Sequence, residues 1–205
     1  MAGTMPHAIF VETDVDGAGL VGAYAAELPG GAVFAATDDE AAGAMPMRVS
    51  QFTAWLRDSG ESVPTFVGDN WYEVERAAAL EADGGRRRAA FTLDELPPSD
   101  EELATWLRWL ELAREELADA LDAGDPSAAG ELLDAIERQD VVVVRELGGQ
   151  APEIAADPVD RLYAARDALT DALEAAGSLA DGVRRILRLA IADDLRAAEA
   201  LRSAA

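Results

Sequence analysis

Few side chains in this sequence could carry chemistry. There is no cysteine and a single histidine, His7, so thiolate nucleophiles, thiolate metal sites and disulfides are excluded. His7 opens a β-rich run near the N-terminus with no Ser or Asp partner at a recognisable spacing, which makes it a poor general base. What remains is a small set of charges on otherwise apolar helical stripes. Asp140 shares a stripe with Leu133, Ile136 and Leu147. Arg166 lies between Leu162 and the pair Leu169 and Leu173. Asp193 continues the line Ile186, Ala190, Ala197, with Asp194 beside it. A charge on a core-facing stripe needs a partner, because an unpaired buried ion is costly. The spacing therefore predicts that Arg166 pairs with Asp140 or Asp193. The alternative is that all four lie at the stripe edges in solvent.

Four amphipathic segments would position these side chains, and each carries start or stop signals. Ser99-Asp100-Glu101-Glu102 is a capping box, followed by the stripe Leu103, Trp106, Leu107, Leu110, Ala113, Leu117 and Leu121 as far as Ala123. Asp125-Pro126 opens a second helix that ends at Gly148-Gly149, with proline in the first turn, where its missing N–H costs nothing. Asp157-Pro158 repeats that signal for a third helix, up to Gly177. The fourth, Leu179–Arg202, has apolar residues recurring at three- and four-residue steps. Together they predict an up-down four-helix bundle over residues 99–205. Trp55, Trp106 and Trp109 read as core rather than as ligand platforms.

The first 93 residues read as an α+β domain: a small antiparallel β-sheet with one helix and a trailing hairpin. His7–Thr13, Gly19–Glu27 and Ala32–Ala36 are strand candidates separated by turn residues. Thr37-Asp38-Asp39-Glu40 is a capping box for a helix that runs to about Ser59, kinked or divided at Pro46 and stopped at Gly60. Val63–Val67 would be a fourth strand, and Trp71–Leu80 with Arg86–Thr92 a hairpin about Ala82–Gly85. Arg86-Arg87-Arg88, the only basic run, reads as a solvated edge strand. Residues 94–98 (DELPP) form the linker.

The order of pieces from Ala8 to Val67, with Glu27-Leu28-Pro29-Gly30, Thr37-Asp38-Asp39-Glu40-Ala41, Trp55-Leu56 and Gly60-Glu61-Ser62-Val63-Pro64, resembles the HicB family of antitoxin-type domains. That resemblance implies a small ribonuclease toxin as a partner, although no DNA-binding pattern follows. The second half resembles the DinB-like (YfiT-like) four-helix bundles through Leu132-Leu133-Asp134-Ala135-Ile136, Asp140, Arg145-Glu146-Leu147-Gly148 and Val183-Arg184-Arg185-Ile186-Leu187-Arg188. In that family three histidines hold a divalent metal that serves thiol-transfer or hydrolase chemistry. The corresponding positions here are Ala135, Asp193 and Ala197, and one carboxylate cannot hold a catalytic metal. The resemblance thus implies the fold without its cofactor.

Charge completes the reading. The chain of 205 residues carries 40 acids against 17 basic residues, a net charge of −23, and has no lysine. Up to Leu96 there are 16 acids and 6 Arg, beyond it 24 and 11, so the acidity belongs to the whole surface rather than to a tail. Such a surface repels itself in dilute salt and is screened at about 1 M, where the Debye length is roughly 3 Å. This composition resembles that of proteins from extreme halophiles, with counter-ions as constant partners. No basic face for nucleic acid is evident, no apolar run approaches a membrane span, and the N-terminus lacks a signal-peptide pattern. The expectation is a cytoplasmic, non-catalytic interaction or regulatory protein that binds a protein partner or itself.

Overall fold

A computed structural model describes residues 7–63, 71–82, 85–152, 155 and 157–204. The chain forms two compact units, 1–96 and 97–205. The first is α+β; the second is a helical bundle.

In the first unit β1 (His7–Thr13), β2 (Val21–Ala25) and β3 (Ala32–Ala35) form an antiparallel meander. Helix α1 (Asp38–Asp58) packs on β2 and β3, and β4 (Trp71–Ala78) pairs with the free side of β1. The sheet order is β3-β2-β1-β4. β4 runs parallel to β1, with a bulge opposite Ile9 and Phe10, so the sheet is mixed and not antiparallel as expected. The cause is the helix: three meander strands end pointing along β1, and α1 carries the chain back to the starting edge. β5 (Leu80–Ala82) and β6 (Gly85–Arg87) form a separate hairpin. Of the fourth strand expected over Val63–Val67, Val63 lies outside any strand and the other positions lie outside the described residues.

Helix α1 starts where the Thr37 hydroxyl accepts the Glu40 N–H at 3.3 Å. It stops at Gly60, whose φ of 87° is open to glycine. Pro46 does not divide it. Ala41 and Met45 before the proline, with Val49, Phe52 and Leu56 after it, are all buried. That burial holds both halves to the sheet and outweighs the roughly 3 kcal/mol that proline costs a helix interior.

In the second unit α2 (Asp100–Ala123) lies along α5 (Val183–Ala204), and α3 (Gly130–Glu146) lies along α4 (Pro158–Ala176). Ser99 and Glu102 form the reciprocal capping box, and Asp157 accepts the N–H groups of Val159 and Asp160 at the start of α4. Two starts differ from expectation. Pro126–Ala129 is a 3₁₀ turn, and α3 begins only at Gly130. The last helix begins at Val183 because Gly182 has φ 74°, which leaves Leu179 in a turn at 84 % exposure.

Candidate functional site

Where α3, α4 and α5 meet, each contributes charge to an otherwise apolar core. Asp140 and Arg166 are each 3 % exposed, Asp193 is 8 % and Asp194 fully buried. The four expected residues are thus inside, not at a solvated edge. Arg166 donates from Nη1 to Asp140 Oδ1 at 2.6 Å and from Nε to Asp194 Oδ1 at 3.0 Å. Its Nη2 donates to the same Asp194 oxygen and, at 3.4 Å, to the Ala190 carbonyl. The expected partner Asp140 is confirmed by this geometry, and the second is Asp194 rather than Asp193. The difference is rotational: adjacent residues on a helix point about 100° apart, and the guanidinium fork meets the side chain one step on. Asp193 lies beside it and lines the neighbouring cavity with Asp140, Arg166 and Arg185.

Arg114 is the member that the stripe reading missed. It stands on α2 between Leu110 and Leu117, at the same three- and four-residue steps, and its Nη2 donates to the Arg166 carbonyl. Burial, and then the neighbouring Arg166, lower its pKa below the ordinary guanidinium value. Burial also works against the Arg166 charge, but Asp140 and Asp194 outweigh it and hold that pKa above the usual value. The carboxyls respond in the opposite sense. Burial pushes Asp140 up to about 7 against the attraction of Arg166, and it raises Asp194 as well.

The metal positions implied by the DinB-like resemblance do not fit a metal. Ala135 is exposed on the outer side of α3, one residue before the inward-facing Ile136, whereas Asp193 and Ala197 are buried in α5. Two of the three have no donor atom. Among the described residues, no group of three or more His, Cys, Asp or Glu is arranged to hold a metal ion.

A second buried polar group lies in the first unit. Glu12, fully buried on β1, accepts the Tyr24 hydroxyl at 2.9 Å, Arg88 Nε at 3.1 Å and the Ala89 N–H at 2.7 Å. Arg88 is therefore not part of a solvated basic edge: its side chain is 11 % exposed and its charge is met by Glu12. Gly22 makes the arrangement possible, because a Cβ there would lie 2.8 Å from the Tyr24 hydroxyl. The sequence signal was an acid directly after the apolar run Ile9–Val11, although its partner stands 76 residues away. The His7 ring lies tilted against that of Trp71, with 4.7 Å between their centroids. Trp106 and Trp109 are buried in the bundle, with the Arg184 guanidinium 4.8 Å over the Trp106 ring, and Trp55 is half-buried on α1.

No helix among the described residues is long and apolar enough to cross a membrane. Comparison of the chain with models of protein families, with curated proteins and with solved structures finds no match.

Proposed function

We propose that this is a cytoplasmic, non-catalytic interaction or regulatory protein, in which a HicB-like module precedes a DinB-like bundle whose centre is an ion-pair cluster in place of a metal. One observation carries the reading: the middle of the bundle is filled by charges that pair with one another. Arg166 is taken up by Asp140 and Asp194, and the adjoining cavity of ≈ 30 Å³ has room for about one or two waters, far below the roughly 150 Å³ that admits benzene. An organic substrate has no place there. The test is capture of the tagged protein from its own lysate at multimolar salt, read by mass spectrometry and light scattering. A stoichiometric protein partner or a defined oligomer supports the reading, whereas a monomer that retains nothing removes it.

The raised pKa of Asp140 favours a second reading, an enzyme with an altered site around Asp140 and Asp193, since perturbed carboxyls collect at catalytic centres. This reading requires substrate to reach Asp140. Turnover of thiol or hydrolysable ester substrates that is lost in Asp140→Asn would establish it in place of the first.

A further inference from the structure

Two buried carboxylates, Asp140 and Asp194, share the buried guanidinium of Arg166. If both are ionised, that enclosed trio carries a net negative charge, offset only at longer range by Arg114, which bonds to the Arg166 carbonyl and not to either carboxylate, a costly state in a buried core. Each carboxylate also keeps its Oδ2 buried without a hydrogen-bond donor, and a protonated carboxyl presents no such bare charge. The two are not equivalent. Asp194 receives two N–H groups of Arg166 and Asp140 receives one. Asp140 alone of the pair lines the cavity.

We infer that Asp140 holds a proton in the closed bundle, and that its ionisation loosens the junction between the α2–α5 and α3–α4 helix pairs. The cluster spans that junction: Arg166 on α4 bonds to Asp140 on α3 and to Asp194 on α5, and Arg114 on α2 bonds to the Arg166 carbonyl. The charges facing Asp140 are Arg166 from α4, Asp193, Asp194 and Arg185 from α5, and Arg114 from α2. The 3₁₀ turn Pro126–Ala129 packed against α3 contributes none. Burial that moves the Asp140 pKa from 3.8 to about 7 agrees with this assignment. The sign follows from linkage. A carboxyl whose folded pKa is raised adds stability that is fully present below its unfolded value and is lost as pH rises through the folded one.

The experiment uses the full chain, labelled with ¹³C at the aspartate carboxyl, at constant ionic strength. The Asp140 resonance is expected to titrate with a midpoint above 6 and to be absent from Asp140→Asn. The unfolding equilibrium of the bundle, read by helix circular dichroism in urea, should shift several-hundredfold toward the unfolded state between pH 4 and pH 8, as the pKa difference requires. Asp140→Asn should flatten most of that slope. If Asp140→Asn does not fold, Asp194→Asn decides. Removing the competitor gives Arg166 to Asp140 alone, so the high resonance should persist at a lower midpoint. Its disappearance in that variant would assign the proton to Asp194 and overturn the inference. So would a wild-type spectrum with no aspartate midpoint above 6, or a pH slope that survives intact in Asp140→Asn.

Discussion

Replacing Arg166 with leucine tests most directly whether the bundle is built around its charges. The substitution leaves Asp140 and Asp194 buried at 3 % and 0 % exposure, with three N–H donors removed between them. Breaking a buried pair by deleting one partner costs about 3–5 kcal/mol, because the abandoned charge must be carried without compensation. For a unit of roughly 110 residues, the entropy of unfolding near the midpoint is about 0.23 kcal/mol/K, so Tm should fall by roughly 13–22 °C. Set against a total of about 5–15 kcal/mol for a domain, that is enough to leave a substantial unfolded fraction in urea concentrations the parent tolerates. The assay is thermal and urea unfolding followed at 222 nm, at pH 8 and high salt, where surface pairs are screened. The triple variant Arg166→Met, Asp140→Leu, Asp194→Leu removes all three charges together. It should recover most of the loss, since apolar replacement of an entire buried ionic group is often neutral or stabilising. A single variant within about 1 kcal/mol of the parent, the range of exposed pairs, would refute the reasoning.

Glu12→Ala should destabilise the first unit by about 3–5 kcal/mol, since Arg88 is left largely buried without its counter-charge; amide exchange of β1 and β2 reads this unit separately from the bundle. Gly22→Ala should cost about 1–3 kcal/mol through overpacking against the Tyr24 phenol. Combining it with Tyr24→Phe, which removes the atom that clashes at 2.8 Å, should cost less than the sum of the two changes in a double-mutant cycle. Ser99→Ala should cost about 1 kcal/mol and fray the start of α2, where the Ser99 hydroxyl accepts the Glu102 N–H at 3.2 Å; faster amide exchange at Glu102 and its neighbours checks it.

What could be read before folding was local. Ser99, Asp157 and Thr37 act as the helix starts their types announce, and the stripes carrying Asp140, Arg166 and Asp193 do face inward. Failures came where distance or competition decides. The Glu12–Arg88 pair joins residues far apart in sequence, and no periodicity encodes such a meeting. Pro46 does not divide α1, because buried residues on either side of it anchor the helix. Leu179 follows the helical repeat but lies beyond Gly182, whose backbone turns the chain before α5 can begin. Whether Arg166 chooses Asp193 or Asp194 depends on one helical step, finer than an apolar stripe resolves. Ala135, placed by resemblance at a ligand position, faces outward next to the buried Ile136.

The position of β1 within its sheet bears on how the protein is made. It is the earliest strand in the chain, yet it lies inside the order, paired with β2 on one side and β4 on the other. β2 can reach it from the neighbouring sequence, but its other side waits for Trp71, the residue that pairs with His7. At roughly 5–20 residues per second, several seconds of translation separate the two. Through that interval β1 presents an unpaired backbone edge and the apolar side chains of Ile9, Phe10 and Val11 to the cell. The nascent chain therefore passes through a sticky stage that the finished protein hides, and a translational pause before residue 78 would lengthen it.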